Sequence, residues 1–341
     1  MRAVLIGLIF LLPACQSDAE TLKFTGETMG TTYNIVAVDH EARLELEEVE
    51  AAIGSVLDTV NALMSNWDPN SEVSRFNARQ DTDPVQVSPA LAEVMATANQ
   101  VHAQSDGQFD VTLGPLIELW GFGARTPETP HPADDAIVAA LAQVGQDRVL
   151  ELTVDPPTLA KKQPGVNVYL AAIAKGYGVD AVGRALHDLG LTDYMVEIGG
   201  ELVTAGRNPE GEIWRIGVEQ PDSGSRKVQQ VVRLSGLGMA TSGDYRNYFE
   251  VDGVRYSHII DARTGRPITH GTASVTVLAE TAMLADGWAT ALLALGQERG
   301  MPIAEDLGLA VLFIAHDGQE GDNSFVTTTS SRFRELQSSF E

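Results

Sequence analysis

One cysteine, Cys15, is all that 341 residues contain. That excludes a disulfide within the chain and leaves the folded body without a catalytic thiol or a thiolate zinc site. Basic residues are also scarce: 23 Lys and Arg stand against 47 Asp and Glu, a formal charge of -24. Such a surface repels polyanions, so nucleic acid is excluded as a partner recognised through a basic face. A phosphate-bearing ligand is compatible with this charge only where a metal ion or a local cluster of Lys and Arg reverses the field. Two phosphate cradles are missing, GxGxxG after a strand and GxxxxGK[ST], which sets aside ordinary dehydrogenases and P-loop nucleotidases. GxSxG and HExxH are missing too, against serine hydrolases and zincins. Aromatic residues make up only 6%, but the 44% apolar content is that of a globular chain long enough to bury a full core. Internal repeats, low-complexity tracts and clear linkers are absent.

What is present begins with a short apolar run. Arg2 precedes Ala3 to Leu12, and Pro13 and Ala14 lead to Cys15. The run is too short to span a bilayer and has the layout of an export signal. It resembles a bacterial lipoprotein signal. The resemblance implies that residues 1–14 are removed, that Cys15 carries the lipids, and that residues 15–21 form a tether. A lipidated Cys15 implies an exported protein anchored to a bacterial membrane and facing the periplasm, since more than one acyl chain makes a lasting anchor. The folded body is expected over 22–328, with the acidic, serine-rich end at 329–341 frayed.

Periodicity within the body alternates between strand and helix. Thr31 to Val38 has strand composition, while Val49, Ile53, Val56, Val60 and Leu63 recur at helical spacing. Ser88-Pro89 starts a helix that Gly107 stops, and a further helix is expected over Ala133 to Val144. Between them FDVTLGPLIELWGFG reads as a structured loop. A helix over Ala171 to Leu189 is followed by strands at Tyr194–Ile198, Leu202–Ala205 and Trp214–Val218. Asp252-Gly253 predicts a hairpin joining Tyr248–Val251 to Val254–Ile260. A strand over Ala273–Leu278 precedes a helix capped by Thr281 and running to about Leu295, then a shorter helix and a strand over Leu309–Ile314. Grouped strands, frequent hairpins and intervening helices predict an α+β fold with mixed or largely antiparallel sheets, and the length allows either one large domain or a single unit of two closely joined lobes.

Several polar residues interrupt this pattern. In TAMLADGWATALLAL, Asp286 and Thr290 are four apart on one helix face. Their oxygens suit a hard cation such as magnesium, though a local hydrogen bond explains the pair alone as simply. Lys175, near a helix start, can offset phosphate charge or be a solvated surface lysine. IGGEL brings backbone close to a neighbour or makes a tight strand connection. SGDYRNYF sets Arg246 before the hairpin, and His258 lies near the end of its far strand, where a base can reach a ligand.

Eight segments in order, MGTTY, MSNWDPNSEVSRFN, GQFDVTLGPLIELWGFG, AAIAKGYGVD, VEIGGEL, TSGDYRNYF, SHIIDARTG and MLADGWATALLALG, resemble the FAD:protein FMN transferase (ApbE) family over nearly the whole mature chain. The resemblance implies an enzyme that uses FAD and Mg2+, joins FMN to a threonine or serine hydroxyl of an acceptor and releases AMP. Implied acceptors are subunits of membrane electron-transport complexes, such as sodium-pumping NADH:quinone reductase or Rnf. By position, Asp286, Thr290 and the backbone carbonyl of Ala172 resemble the family's metal ligands. Met29, Trp67, Gln108, Phe109, Asp110, Tyr169, Lys175 and Ile260 fall at flavin-contacting positions, and His258 matches the histidine considered for activating the acceptor hydroxyl. Arg246 and Arg263 are added here as candidate phosphate contacts. Three positions depart from the common pattern: Trp67 stands where many relatives have tyrosine, Tyr169 where aspartate is frequent, and Ala262 where DPRTG has proline. The alternatives are an FAD pyrophosphatase yielding FMN and AMP, and a flavin-binding protein without turnover.

Overall fold

The computed structural model describes residues 19–123, 131–222, 227–245, 248–251, 254–317 and 324–340. The signal region with Cys15, and Arg246, lie outside them. The first half contains β1 (Glu20–Thr28), β2 (Thr31–Asp39), α1 (Leu46–Met64), α2 (Glu72–Ala78), β3 (Val85–Gln86) and α3 (Pro89–Gln104). It continues through α4 (Gly114–Leu119), α5 (Asp134–Leu141), α6 (Gln146–Val149), β4 (Leu150–Val154), β5 (Pro157–Lys161) and α7 (Ala174–Asp188). The second half contains β6 (Asp193–Ile198), β7 (Glu201–Ala205), β8 (Trp214–Glu219), β9 (Val228–Leu234), β10 (Leu237–Gly243), β11 (Tyr248–Val251) and β12 (Val254–Ser257). The chain ends with β13 (Ile260–Asp261), β14 (Arg266–Pro267), β15 (Thr272–Ala279), α8 (Ala282–Asp306), β16 (Ala310–His316), β17 (Phe325–Thr329) and α9 (Ser331–Ser338).

The fold is α+β, as its sequence pattern predicts. Its backbone is a sheet of order β1-β2-β6-β7-β10-β15-β16-β17, antiparallel at every pairing. A central antiparallel strand covered on both faces loses the usual alternation of apolar and polar side chains. Within β15, Val275 and Val277 join the cluster shared with α3 and α8, and Leu278 joins the opposite layer with Val232, Leu234 and Phe333. The sheet is therefore sandwiched, and its helical side carries the larger core.

On that side α7 and α8 cross at close range because two positions have no side chain. A Cβ on Gly176 would lie 2.4 Å from the Ala282 carbonyl oxygen, and one on Gly238 of β10 would lie 2.2 Å from the Ala282 nitrogen. Backbone cannot yield as a side-chain tip can. Gly238→Val is therefore expected to cost about 3 kcal/mol or more, lowering Tm by roughly 2–4 °C for each kcal/mol. Thermal unfolding checks this, and an unchanged Tm would show that the contact relaxes freely.

The start of α8 is also held electrostatically. Thr281 accepts from the Leu284 amide at 3.1 Å, and Asp180 of α7 accepts from Ala282 and Met283, both at 2.8 Å. Those amides would otherwise be orphan donors at a helix N-terminus. Burial pushes the Asp180 carboxyl up to about 6 from 3.8, against the pull of the two amides. An acid whose folded pKa is raised is protonated first in the native state, so the protein gains stability as pH falls from about 6.5 toward 4. The Tm difference between wild type and Asp180→Asn should shift in favour of wild type across that window. A constant difference between pH 7 and 5 would contradict the assignment.

Three expectations are corrected. The end of the chain is not frayed over 331–338: Ser330 accepts from the Val311 amide at 2.9 Å and donates to the Leu309 carbonyl at 2.6 Å, so α9 is pinned to β16 and Phe333 is buried. The loop between α3 and α5 contains a helical turn, α4, with Pro115 in its first turn. The helix expected from Ala171 begins at Ala174, leaving residues 171–173 as non-helical backbone, of which Ala171 and Ala172 line the cavity.

Candidate active site

A cavity of about 490 Å3 opens between α8, the start of α7, β10, the 108–122 loop and the segment after β12. Seven of the eight sequence segments contribute to its lining, including Trp67, Gln108, Ala172, Glu201, Ser242, His258 and Asp286. MGTTY is the one that does not. The size and the mixture of aromatic walls with a few polar groups are those of a small-molecule site.

Asp286 forms part of the floor. It interrupts the buried face of α8, is 2% exposed, and accepts from the Gly176 amide at 3.1 Å. Burial pushes its carboxyl up, partly opposed by the positive charge of Lys175. One turn on, the Thr290 hydroxyl lies 3.2 Å from the Ser242 hydroxyl of β10. Asp286 and Thr290 do not bond each other; each turns to a different neighbour in the cavity wall. Among the described residues no cluster of three or more His, Cys, Asp or Glu side chains is arranged to hold a metal ion. The donors here are instead one carboxylate, two hydroxyls and exposed backbone at 171–172, an all-oxygen set. It fits a hard cation that takes few protein ligands and completes its shell with water and substrate phosphate.

Lys175 is the only Lys or Arg among the described lining residues. Its ammonium lies 2.6 Å from Glu201 Oε2, and Glu201 is 4% exposed at the start of β7. Burial alone would depress the Lys175 ammonium, but Asp286 and Glu201 outweigh it and hold the group above its ordinary value. Burial pushes Glu201 up to about 7, less than it would without Lys175.

The walls are aromatic. Trp67 is 77% exposed at the rim, on a turn where Ser65 Oγ accepts from the Trp67 and Asp68 amides, both at 3.2 Å. Asn66 beside it accepts from the Leu170 amide at 3.0 Å and donates to the Val168 carbonyl at 2.7 Å, which brings the Trp67 turn up to Tyr169. Burial, and then the Glu118 carboxylate, push the Tyr169 phenol up, so it stays a neutral hydroxyl. Gln108 is 2% exposed, and neither amide atom has a hydrogen-bond partner among the described residues. A buried amide left unpaired is costly, and this one lies on the cavity wall with one donor and one acceptor to offer.

His258 follows β12 and meets the Phe122 ring edge-on, 6.3 Å between centroids. Phe122 packs on Phe249 at 5.1 Å, Phe249 stacks on Tyr256 at 5.2 Å, and Tyr256 stacks on Trp120 at 6.0 Å. The β11–β12 pair thus docks on the 120–122 turn through aromatic rings, which fixes where His258 enters the cavity. Ile259 and the buried Ile260 line the wall beyond it.

Three expected site residues have other duties or places. Asp110 reaches the cavity, but its carboxylate accepts from the Thr112 amide at 2.7 Å and the Gln146 amide at 3.1 Å, tying the loop to α6. Met29, at φ 50 in the turn between β1 and β2, packs against the core near Gly178 and does not line the cavity. Arg263 pairs with Asp106 at 3.2 Å and lines a separate cleft with His102 and Arg148. Glu201, Thr241, Ser242, Phe122 and Tyr245 line the site without having been singled out from sequence. A charged side chain directly after Gly199-Gly200, within an apolar strand, is the one local feature of the sequence that points to Glu201.

Residues 29–313 match the ApbE family. A protein of Haemophilus influenzae named FAD:protein FMN transferase is 41% identical over 337 residues, covering 98% of this chain and 96% of its own. One of the same name from Vibrio cholerae is 42% identical over 336 residues, covering 98% of each. Among solved structures, flavin transferase ApbE from Vibrio cholerae superposes with a TM-score of 0.83 at 41% identity, covering 93% of this chain and 99% of its own. The apo flavinyl transferase ApbE of Pseudomonas stutzeri gives 0.84 at 39%, covering 94% and 97%. With its fold, the order of its motifs and the convergence of those motifs on one cavity all in agreement, the chain belongs to the ApbE family of flavin transferases.

Proposed function

We propose that this enzyme takes FMN from FAD and joins it through its phosphate to a serine or threonine hydroxyl of an acceptor protein, releasing AMP, with magnesium at Asp286 and Thr290. The observation that carries the reading is the convergence of seven motif segments on a single cavity whose floor is a buried carboxylate and whose walls are aromatic. Curated relatives at 41–42% identity bear the name FAD:protein FMN transferase.

The aromatic rim at Trp67 and Tyr169 offers faces for a ring system, and the unpaired Gln108 amide offers one donor and one acceptor to its polar edge. Asp286, Thr290 and the Ala172 carbonyl would hold magnesium, which supplies the positive charge that a pyrophosphate needs on entering a chain of net charge -24. In the transfer itself a bond forms between the acceptor oxygen and the phosphorus of the FMN half. The bond from that phosphorus to the bridging oxygen breaks, and its electron pair leaves with AMP. His258 takes the hydroxyl proton on a ring nitrogen, a role open to an imidazole that reaches the bound acceptor.

The acceptors in this reading are subunits of membrane redox complexes of the sodium-pumping NADH:quinone reductase or Rnf type. Among the described residues no helix is long and apolar enough to cross a membrane. Attachment is assigned to lipid on Cys15, with the body in the periplasm. The test is chromatographic: in a reaction with FAD, Mg2+ and an acceptor subunit, AMP should appear in step with protein-bound flavin, and excess EDTA should stop both. AMP and free FMN released equally fast with or without acceptor would favour the pyrophosphatase instead.

A further inference from the structure

We infer that Glu201 is a positioning residue for the metal site: it holds the Lys175 ammonium away from the Asp286 carboxylate, leaving that carboxylate to the cation. The inference rests on the proposal that Asp286 binds magnesium.

Lys175 shares its cavity with two buried acids, Asp286 and Glu201. Asp286 approaches from α8 and Glu201 from β7, directly after the turn at Gly199-Gly200, whose φ values are 62 and 107. Among the described residues only Glu201 is in ion-pair contact with the ammonium, at 2.6 Å. Yet Asp286 also attracts Lys175, and its carboxylate lies against the same stretch of α7, accepting from the Gly176 amide at 3.1 Å. The ammonium therefore has a second place to go. Asp110, the other acid among the described lining residues, directs its carboxylate to the Thr112 and Gln146 amides.

Removal of the Glu201 charge would leave Lys175 with Asp286 as its remaining strong partner. An ammonium bonded to that carboxylate occupies its lone pairs and cancels the charge that a hard cation requires. Glu201 is itself costly to bury, since a carboxylate at 4% exposure loses nearly all its hydration. Its pairing with Lys175 offsets that cost, and the geometry it enforces keeps an ammonium and a metal ion in one cavity without competition for a single acid.

The experiment measures Mn2+ binding directly, by electron paramagnetic resonance of the free ion, on the folded protein and four variants whose Tm values are checked. Glu201→Gln should weaken Mn2+ binding about tenfold, the size of one displaced charge contact. Lys175→Met combined with Glu201→Gln should restore it to within about twofold of wild type, because no ammonium is left to compete. The single variant Lys175→Met should bind at least as tightly as wild type. Wild-type affinity in Glu201→Gln, or a double variant as weak as Glu201→Gln, would overturn the inference. Asp286→Ala separates the two levels: loss of binding there with no effect of Glu201→Gln refutes only the role of Glu201. Equal binding by Asp286→Ala and wild type removes the metal assignment and this inference with it.

Discussion

Asp286→Ala is expected to lose FMN transfer by about a thousandfold or more while leaving the protein folded. Several kcal/mol of charge stabilisation are at stake when a metal ion is removed from a phosphoryl-transfer site, and each 1.4 kcal/mol is a factor of ten in rate. Thermal stability should move little, and upward if at all. The Asp286 carboxyl is raised by burial, so its charge opposes folding, and among the described residues the amide of Gly176 is the one hydrogen-bond donor it loses. Lys175 keeps its pairing with Glu201. Steady-state rates in saturating Mg2+, set beside Tm, check this. A variant that retains magnesium-dependent turnover would remove Asp286 from the site, and one that loses activity only because it unfolds would say nothing for the metal.

Replacing His258 by glutamine should lower transfer by roughly a hundredfold to ten-thousandfold with FAD binding largely kept, the loss typical of a missing general base. The imidazole stands against Phe122 at the end of an aromatic series that includes Phe249, Tyr256 and Trp120. That packing is shape-based, so glutamine leaves the wall standing and removes the proton acceptor. The measurement is kcat at saturating FAD, with FAD affinity followed separately by flavin fluorescence. A kcat within about threefold of wild type would assign the proton to another group.

Legibility in the sequence followed how locally each feature is determined. The long helices α1, α3, α7 and the first part of α8 were readable from 3.6-residue periodicity and from caps such as Ser88 and Thr281, both of which accept the expected amide. The kink at Gly296, φ 73, is where the sequence suggested one helix ending before another. Less readable was β10, LGMATSG, whose small residues are dictated by α8 pressing on Gly238 and so lack the usual strand composition. The hairpin of β1 and β2 turns through Met29-Gly30, with a methionine at φ 50 where Asn or Asp is the usual signal.

The same division holds for the site. Asp286 and Thr290 share a face by helix geometry alone, and His258 sits at a strand end, so both were visible locally. Arg263 misled because its partner, Asp106, is 157 residues away and draws it to another cleft. Asp110 lines the cavity as expected, but its carboxylate is occupied by contacts that local spacing does not reveal. Glu201 was passed over because a lone acid in a strand reads as surface, and its pairing with Lys175 exists only once β7 lies beside the start of α7. The polar composition of the final helix reads as a frayed tail, whereas its order comes from two hydrogen bonds of Ser330 and one buried ring, Phe333.

The most direct test of the central claim is the intact mass of a candidate acceptor subunit after incubation with this enzyme, FAD and Mg2+. The account predicts a gain of one FMN moiety, lost when the acceptor's serine or threonine is replaced by alanine and absent with Asp286→Ala. An acceptor of unchanged mass in a reaction where FAD is converted to FMN and AMP would contradict it.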